Sequence, residues 1–205
     1  DDLYELPNPA DDMEQKAGEF VRLAVEEEAH LALAPEWAYN INWVSRHRES
    51  LFAGDSPLFV LGCAPVETET MESLIEDLKQ DDFQCIPETV PEGRSTEFVT
   101  PTIIPIRTRL DDDESDLKDV LLIQYKNAPM GDRANPNEEL YLEEGNFVWN
   151  IDPDDYRTEL LTLTCSDILD RDLRYKAQEF ARETDCFVAH VQCNPKPFHD
   201  IWLRF

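Results

Sequence analysis

Apolar positions recur along the chain in two rhythms, one helical and one strand-like. From Asp11 to Ala29, Met13, Ala17, Phe20, Ala24 and Ala29 fall at near-helical spacing among glutamates. That spacing predicts an amphipathic helix with Asp11 or Asp12 as its N-cap. His30 to Ala34 reads as a short buried strand ended by Pro35, and Ile41 to Leu51 as a second helix. The run Leu58 to Cys63 predicts a buried strand, and Met71, Leu74, Ile75 and Leu78 predict a helix over Glu67 to Gln80. Residues 81–119 hold prolines at 87, 91, 101 and 105 and the acidic run Asp111 to Glu114 around one β-rich piece, Phe98 to Ile106. They read as strands joined by long surface loops, an acidic and proline-rich insertion with the charge run as a solvated turn.

The second half alternates more regularly. Val120 to Tyr125, Phe147 to Ile151, Glu159 to Thr164 and Cys186 to Val191 predict strands. Asp170 to Glu183, with Leu173, Ala177, Phe180 and Ala181 on one face, predicts a helix. Strands alternating with helices imply an α/β or α+β fold whose sheets are covered by helices. The length suits one domain over 1–205.

Charge changes the picture more than composition does. Lys and Arg total 18 against 45 Asp and Glu, a net charge of −27. Such a surface repels nucleic acid and anionic membrane, so neither is expected as a direct partner. Acid spread along the whole chain fits a high-salt cytoplasm, where screening removes much of the self-repulsion. Five cysteines at irregular spacing do not read as a disulfide framework, and no Cys/His spacing reads as a zinc site. No run approaches membrane-spanning length and no signal peptide opens the chain, so a reducing cytoplasmic compartment is expected.

Three apolar strands each run into a residue able to do chemistry. Leu-Ala-Leu-Ala-Pro leads to Glu36, Leu-Leu-Ile-Gln-Tyr to Lys126, and Leu-Leu-Thr-Leu-Thr to Cys165. Strand ends in covered sheets aim groups into a crevice. A thiol, a carboxylate to take its proton and an ammonium to meet an oxyanion together suit thiol acyl transfer, with the Ser166 N–H as a second oxyanion donor. Taken singly, each has a plainer reading: Cys165 as an inert core thiol, Lys126 as a solvated strand end, Glu36 as part of a surface turn. Trp37, Tyr39 and Trp43, just beyond Glu36, are candidate pocket walls, as much as core aromatics, and Glu139 is a further pocket candidate. His47 between Arg46 and Arg48 reads as a solvated basic face or a grip for a carboxylate. His199-Asp200 is a weak metal-binding pair in a chain with four histidines.

The order Glu, Lys, Cys at three strand ends resembles the nitrilase (carbon–nitrogen hydrolase) superfamily. Pro35-Glu36-Trp37 is similar to its first motif, Gln124-Tyr125-Lys126 to its second, and Cys165-Ser166-Asp167 to its third. Glu138, seven residues before Gly145, is similar to a second glutamate of many members, with Glu139 as its rival; by resemblance it would position Lys126. The resemblance implies a four-layer α-β-β-α sandwich, Cys165 as nucleophile, Glu36 as base and Lys126 as oxyanion stabiliser. It further implies a small-molecule amide substrate, a covalent acyl-enzyme, no metal or other cofactor, and a homodimer. The chain departs from the pattern after Asp167, where Ile168-Leu169-Asp170-Arg171 stands in place of an arginine, an aromatic residue and Pro-Glu. The ends look short, as in a domain of a longer protein or a pared-down member. Two other classes stay in view: a nitrilase-like binding or regulatory domain without turnover, and a metal-dependent phosphodiesterase.

Overall fold

The computed structural model describes residues 10–88, 98–109, 116–126, 148–151, 158–169 and 171–192. In chain order, helix α1 (Ala10–Glu26) leads to strand β1 (Leu31–Tyr39) and a 3₁₀ turn (Ile41–Trp43). Helix α2 (Arg48–Leu51), β2 (Leu58–Cys63), β3 (Val66–Glu67), α3 (Thr68–Gln80) and β4 (Gln84–Pro87) follow. Then come β5 (Phe98–Val99), β6 (Pro101–Thr108), β7 (Lys118–Tyr125), β8 (Val148–Ile151) and β9 (Thr158–Thr164). A second 3₁₀ turn (Cys165–Leu169), α4 (Arg171–Glu183) and β10 (Cys186–Val191) complete the described elements.

The fold is mixed α/β around a central mixed sheet of order β1-β2-β6-β7-β4. β1 is parallel to β2 and β4 to β7, while β6 is antiparallel to both its neighbours. β1 and β7 therefore run the same way, and their C-terminal ends lie on one edge of the sheet. A smaller sheet has the order β10-β9-β8, with β9 parallel to β10. β3 and β5 form a two-stranded ribbon.

Side-chain alternation sorts the core into three clusters. On one face of the large sheet, Ala32, Ala34, Phe59, Leu61, Ile103, Leu121 and Ile123 pack with Ala17 and Val21 of α1 and Met71, Ile75 and Leu78 of α3. On its other face, Val60, Ile104, Val120 and Leu122 meet Leu160, Ala189 and Val191 of the small sheet. The far face of the small sheet, through Leu161 and Leu163, packs on Leu173, Ala177 and Phe180 of α4. β7 is covered on both faces, which is why Val-Leu-Leu-Ile reads as one continuous apolar run. Among the described residues no helix is long and apolar enough to cross a membrane.

Several expectations change. β1 does not stop at Pro35 but continues to Tyr39. It is an edge strand with Pro35 exposed, where a missing N–H costs no ladder bond. The expected helix over Ile41 to Leu51 is a 3₁₀ turn and a single α-turn, linked by irregular turns. The β-rich piece expected over Phe98 to Ile106 forms β5 and β6, and residues 84–87 add an unexpected strand; β6 and β4 both belong to the central sheet. The expected elements at Glu138 to Glu144 and the acidic run at Asp111 lie outside the described residues.

Candidate active site

Glu36 and Lys126 meet at the shared edge of the large sheet. Lys126 follows the last residue of β7, and its N–H extends the ladder to the Thr100 carbonyl at 2.9 Å. Its Nζ donates to Glu36 Oε1 at 2.9 Å. The lysine side chain is 0% exposed and the glutamate side chain 4%. A buried ion pair is not a cheap stabiliser, because both charges lose water on folding. The plainer readings, a solvated lysine and a surface turn, do not describe these residues.

Backbone irregularity in β1 delivers the carboxylate. The register of β1 against β2 shifts between Ala34 and Tyr39, and Trp37 has φ 70°. The strand can approach so closely there because β2 offers Gly62. A Cβ at Gly62 would stand 2.6 Å from both Cα and N of Glu36. Glycine inside a strand signals such an approach, and this one lay unread in the run Leu58 to Cys63.

Cys165 sits where β9 breaks into its 3₁₀ turn, 3% exposed and with φ 44°. A left-handed backbone at a residue with a Cβ costs about 1–2 kcal/mol and persists only where its surroundings enforce it. Here two side chains do so. Asp167, fully buried, accepts the Thr164 N–H through Oδ2 at 2.9 Å. His190 of β10 lies 3.0 Å through Nε2 from the Cys165 carbonyl. A carbonyl only accepts, so Nε2 carries the proton. Burial holds the imidazole below its ordinary range, against the opposing pull of that hydrogen bond and of the Glu36 charge. His190 therefore bonds the cysteine turn and feels the charge of Glu36. Cys-x-Asp was a signal for Asp167; nothing in the sequence singled out His190.

The remaining candidates separate. Trp37 is 45% exposed beside Glu36. Of the two readings of Tyr39, pocket wall or core aromatic, its surroundings fit the second. The altered register of β1 turns it into the helix-side core, where its hydroxyl bonds His47 Nδ1 at 2.8 Å and its ring stands edge-on to Trp43. His47 is thus a partner within the fold, and its neighbours Arg46 and Arg48 pair with Glu14 and Asp119. Glu138, Glu139 and His199 lie outside the described residues, as does the Ser166 side chain. Among the described residues no group of three or more His, Cys, Asp or Glu side chains is gathered so as to hold a metal ion.

No family model matches the chain, and no curated protein matches it either. Among solved structures it is similar to the glutamine-dependent NAD+ synthetase of Acinetobacter baumannii in complex with ADP, at 14% identity and a TM-score of 0.48. The match covers 90% of this chain and 30% of that one. At that distance the likeness carries no functional argument, and the case for function stands on the site's own geometry.

Proposed function

We propose that the chain is a thiol-dependent hydrolase of a non-peptide C–N bond, an amide in preference to a nitrile. The observation that carries this reading is the buried Lys126–Glu36 pair, together with His190, which bonds the carbonyl of the strained Cys165 turn and feels the Glu36 charge. The stacking of helices, large sheet, small sheet and α4 supports the four-layer sandwich that goes with it.

Each group has one task. Glu36 takes the Cys165 proton on the carboxylate oxygen not engaged with Lys126, and the thiolate attacks the amide carbon. Lys126 Nζ and the Ser166 N–H stabilise the oxyanion in a site where low polarity strengthens both contacts. The tetrahedral species collapses as the C–N bond breaks and Glu36 returns the proton to the departing ammonia or amine. A thioester to Cys165 remains. Water, deprotonated by Glu36, attacks it, and the carboxylic acid and free thiol leave the cycle closed. Glu138 or Glu139 would hold Lys126 on its other side.

The test is ammonia release from a panel of small primary amides and nitriles. The wild type is expected to turn over at least one amide, unaffected by EDTA, with Cys165→Ala lowering the rate by about a thousandfold or more. Release that survives in Cys165→Ala, or no release above that variant's background from any compound, overturns the reading. The second outcome favours a binding domain, which the slight exposure of Cys165 would suit.

A further inference from the structure

Glu36 and Lys126 ride on the five-stranded sheet and Cys165 on the three-stranded one. The span across the site therefore depends on how one sheet sits on the other. Over much of their interface the contact is aliphatic, between Val60, Ile104, Val120 and Leu122 on one side and Leu160, Ala189 and Val191 on the other. Such contact is non-directional and tolerates small sliding better than a hydrogen bond does.

At the site end the interface changes character along β6, β7 and β9, while Ala189 and Val191 of β10, register partners of Thr162 and Thr164, stay apolar. Thr102 and Gln124, register partners across β6 and β7, face Thr164 and Thr162 of β9. Thr102 Oγ1 and Thr164 Oγ1 are 2.8 Å apart. Gln124 Nε2 donates to the Thr162 carbonyl at 3.1 Å, and the Thr162 hydroxyl donates back to Gln124 Oε1. All four side chains are fully buried. Gln124 stands two residues before Lys126, and Thr164 one before Cys165. Replacing both members of a buried hydrogen bond by apolar groups of the same shape is often close to neutral for stability. Stability alone therefore gives a weak reason for a polar interface at this one end, whereas directionality gives a strong one.

We propose that Thr102, Gln124, Thr162 and Thr164 form a polar clasp of positioning residues that fixes the small sheet on the large one, and so holds the Cys165 thiol in register with Glu36 and Lys126. This rests on the reading of those three as one catalytic unit. The clasp touches neither substrate nor reacting atoms; it acts through the strand ends it locks.

Site-resolved alkylation by iodoacetamide, itself a primary amide, tests it, with the half-exposed Cys186 as internal reference. Thr102→Val with Thr164→Val removes both hydroxyls without leaving either unpaired. The expected result is a Cys165 rate at least tenfold lower, an unchanged Cys186 rate and retained cooperative unfolding. Thr102→Ser with Thr164→Ser keeps the hydroxyls and is expected to restore the rate to within threefold of wild type. If the valine pair does not fold, Gln124→Met with Thr162→Val is read in the same way. A Cys165 rate within twofold of wild type in a folded valine or methionine variant overturns the clasp alone. A wild-type Cys165 no faster than the buried Cys63 and Cys85 overturns the catalytic unit, and the clasp with it.

Discussion

A methyl group added at Gly62 would lie 2.6 Å from the Glu36 Cα and N and 2.7 Å from the Pro35 carbonyl carbon, all backbone atoms with no rotamer to yield. Gly62→Ala is therefore expected to cost about 1–3 kcal/mol by overpacking and to displace Glu36, measured by urea unfolding and by loss of Cys165 reactivity. The neighbouring charges set a second expectation. Breaking a buried ion pair from one side strands the other charge, so Glu36→Gln or Lys126→Met alone should each cost about 3–5 kcal/mol. The double variant should cost clearly less than their sum, and additive losses would mean that the two are not coupled. The φ of 44° at Cys165 gives a third. Cys165→Gly should be more stable than Cys165→Ala by about 1 kcal/mol, although both remove the thiol, because only glycine is at ease in that backbone. Equal stabilities would show that the turn relaxes once the sulfur is gone.

At the scale of elements, β10 and the turn after β9 are joined by an imidazole whose charge state matters. Burial lowers the pKa of His190, and likewise that of His47 between α1 and the 3₁₀ region. An unfolded chain, with histidines near 6.5, binds more protons than the folded one in the interval below that value. The stability these groups contribute is thus complete above about pH 6.5 and lost as pH falls through their folded values. His190→Gln should flatten the slope of unfolding free energy between about pH 6.5 and 5 in urea titrations, leaving the share due to His47. An unchanged slope would separate His190 from acid lability. Elements also mark where sequence was legible. α3 and α4 stand out because their apolar positions follow a helical period, and β2, β7, β9 and β10 because each is a short run rich in apolar residues. β1 did not, since Pro35 breaks a central strand but not an edge one. β4 was obscured because proline and acidic loops flank it, and its neighbour in the sheet, not local propensity, makes it a strand.

At the scale of the whole molecule, few cations offset the charge of −27, and half of the described ion pairs are local couples such as Lys16 with Asp12 and Lys79 with Glu76. Shortening the screening length from about 10 Å to about 3 Å between 0.1 and 1 M KCl should raise the melting temperature, and a flat or falling trend would contradict self-repulsion as a major term. The three strand-end residues were readable because chemistry-bearing side chains follow apolar runs. The meeting of Glu36 with Lys126 was not, because it depends on the parallel sense of β1 and β7 and on the gap left by Gly62, and neither was the histidine across from the cysteine turn. The contrast among the cysteines carries the central claim. Burial raises the Cys63 thiol, and raises Cys85 to about 11, as expected of inert core positions. Cys165 is as buried as they are, but its carbonyl bonds His190, which also feels the Glu36 charge. Iodoacetamide labelling resolved by residue should find Cys165 reacting at least tenfold faster than Cys63 and Cys85, with that advantage lost in Glu36→Gln. If Cys165 instead labels only as fast as unfolding exposes the other two, it is a core thiol and the proposed catalytic unit does not exist.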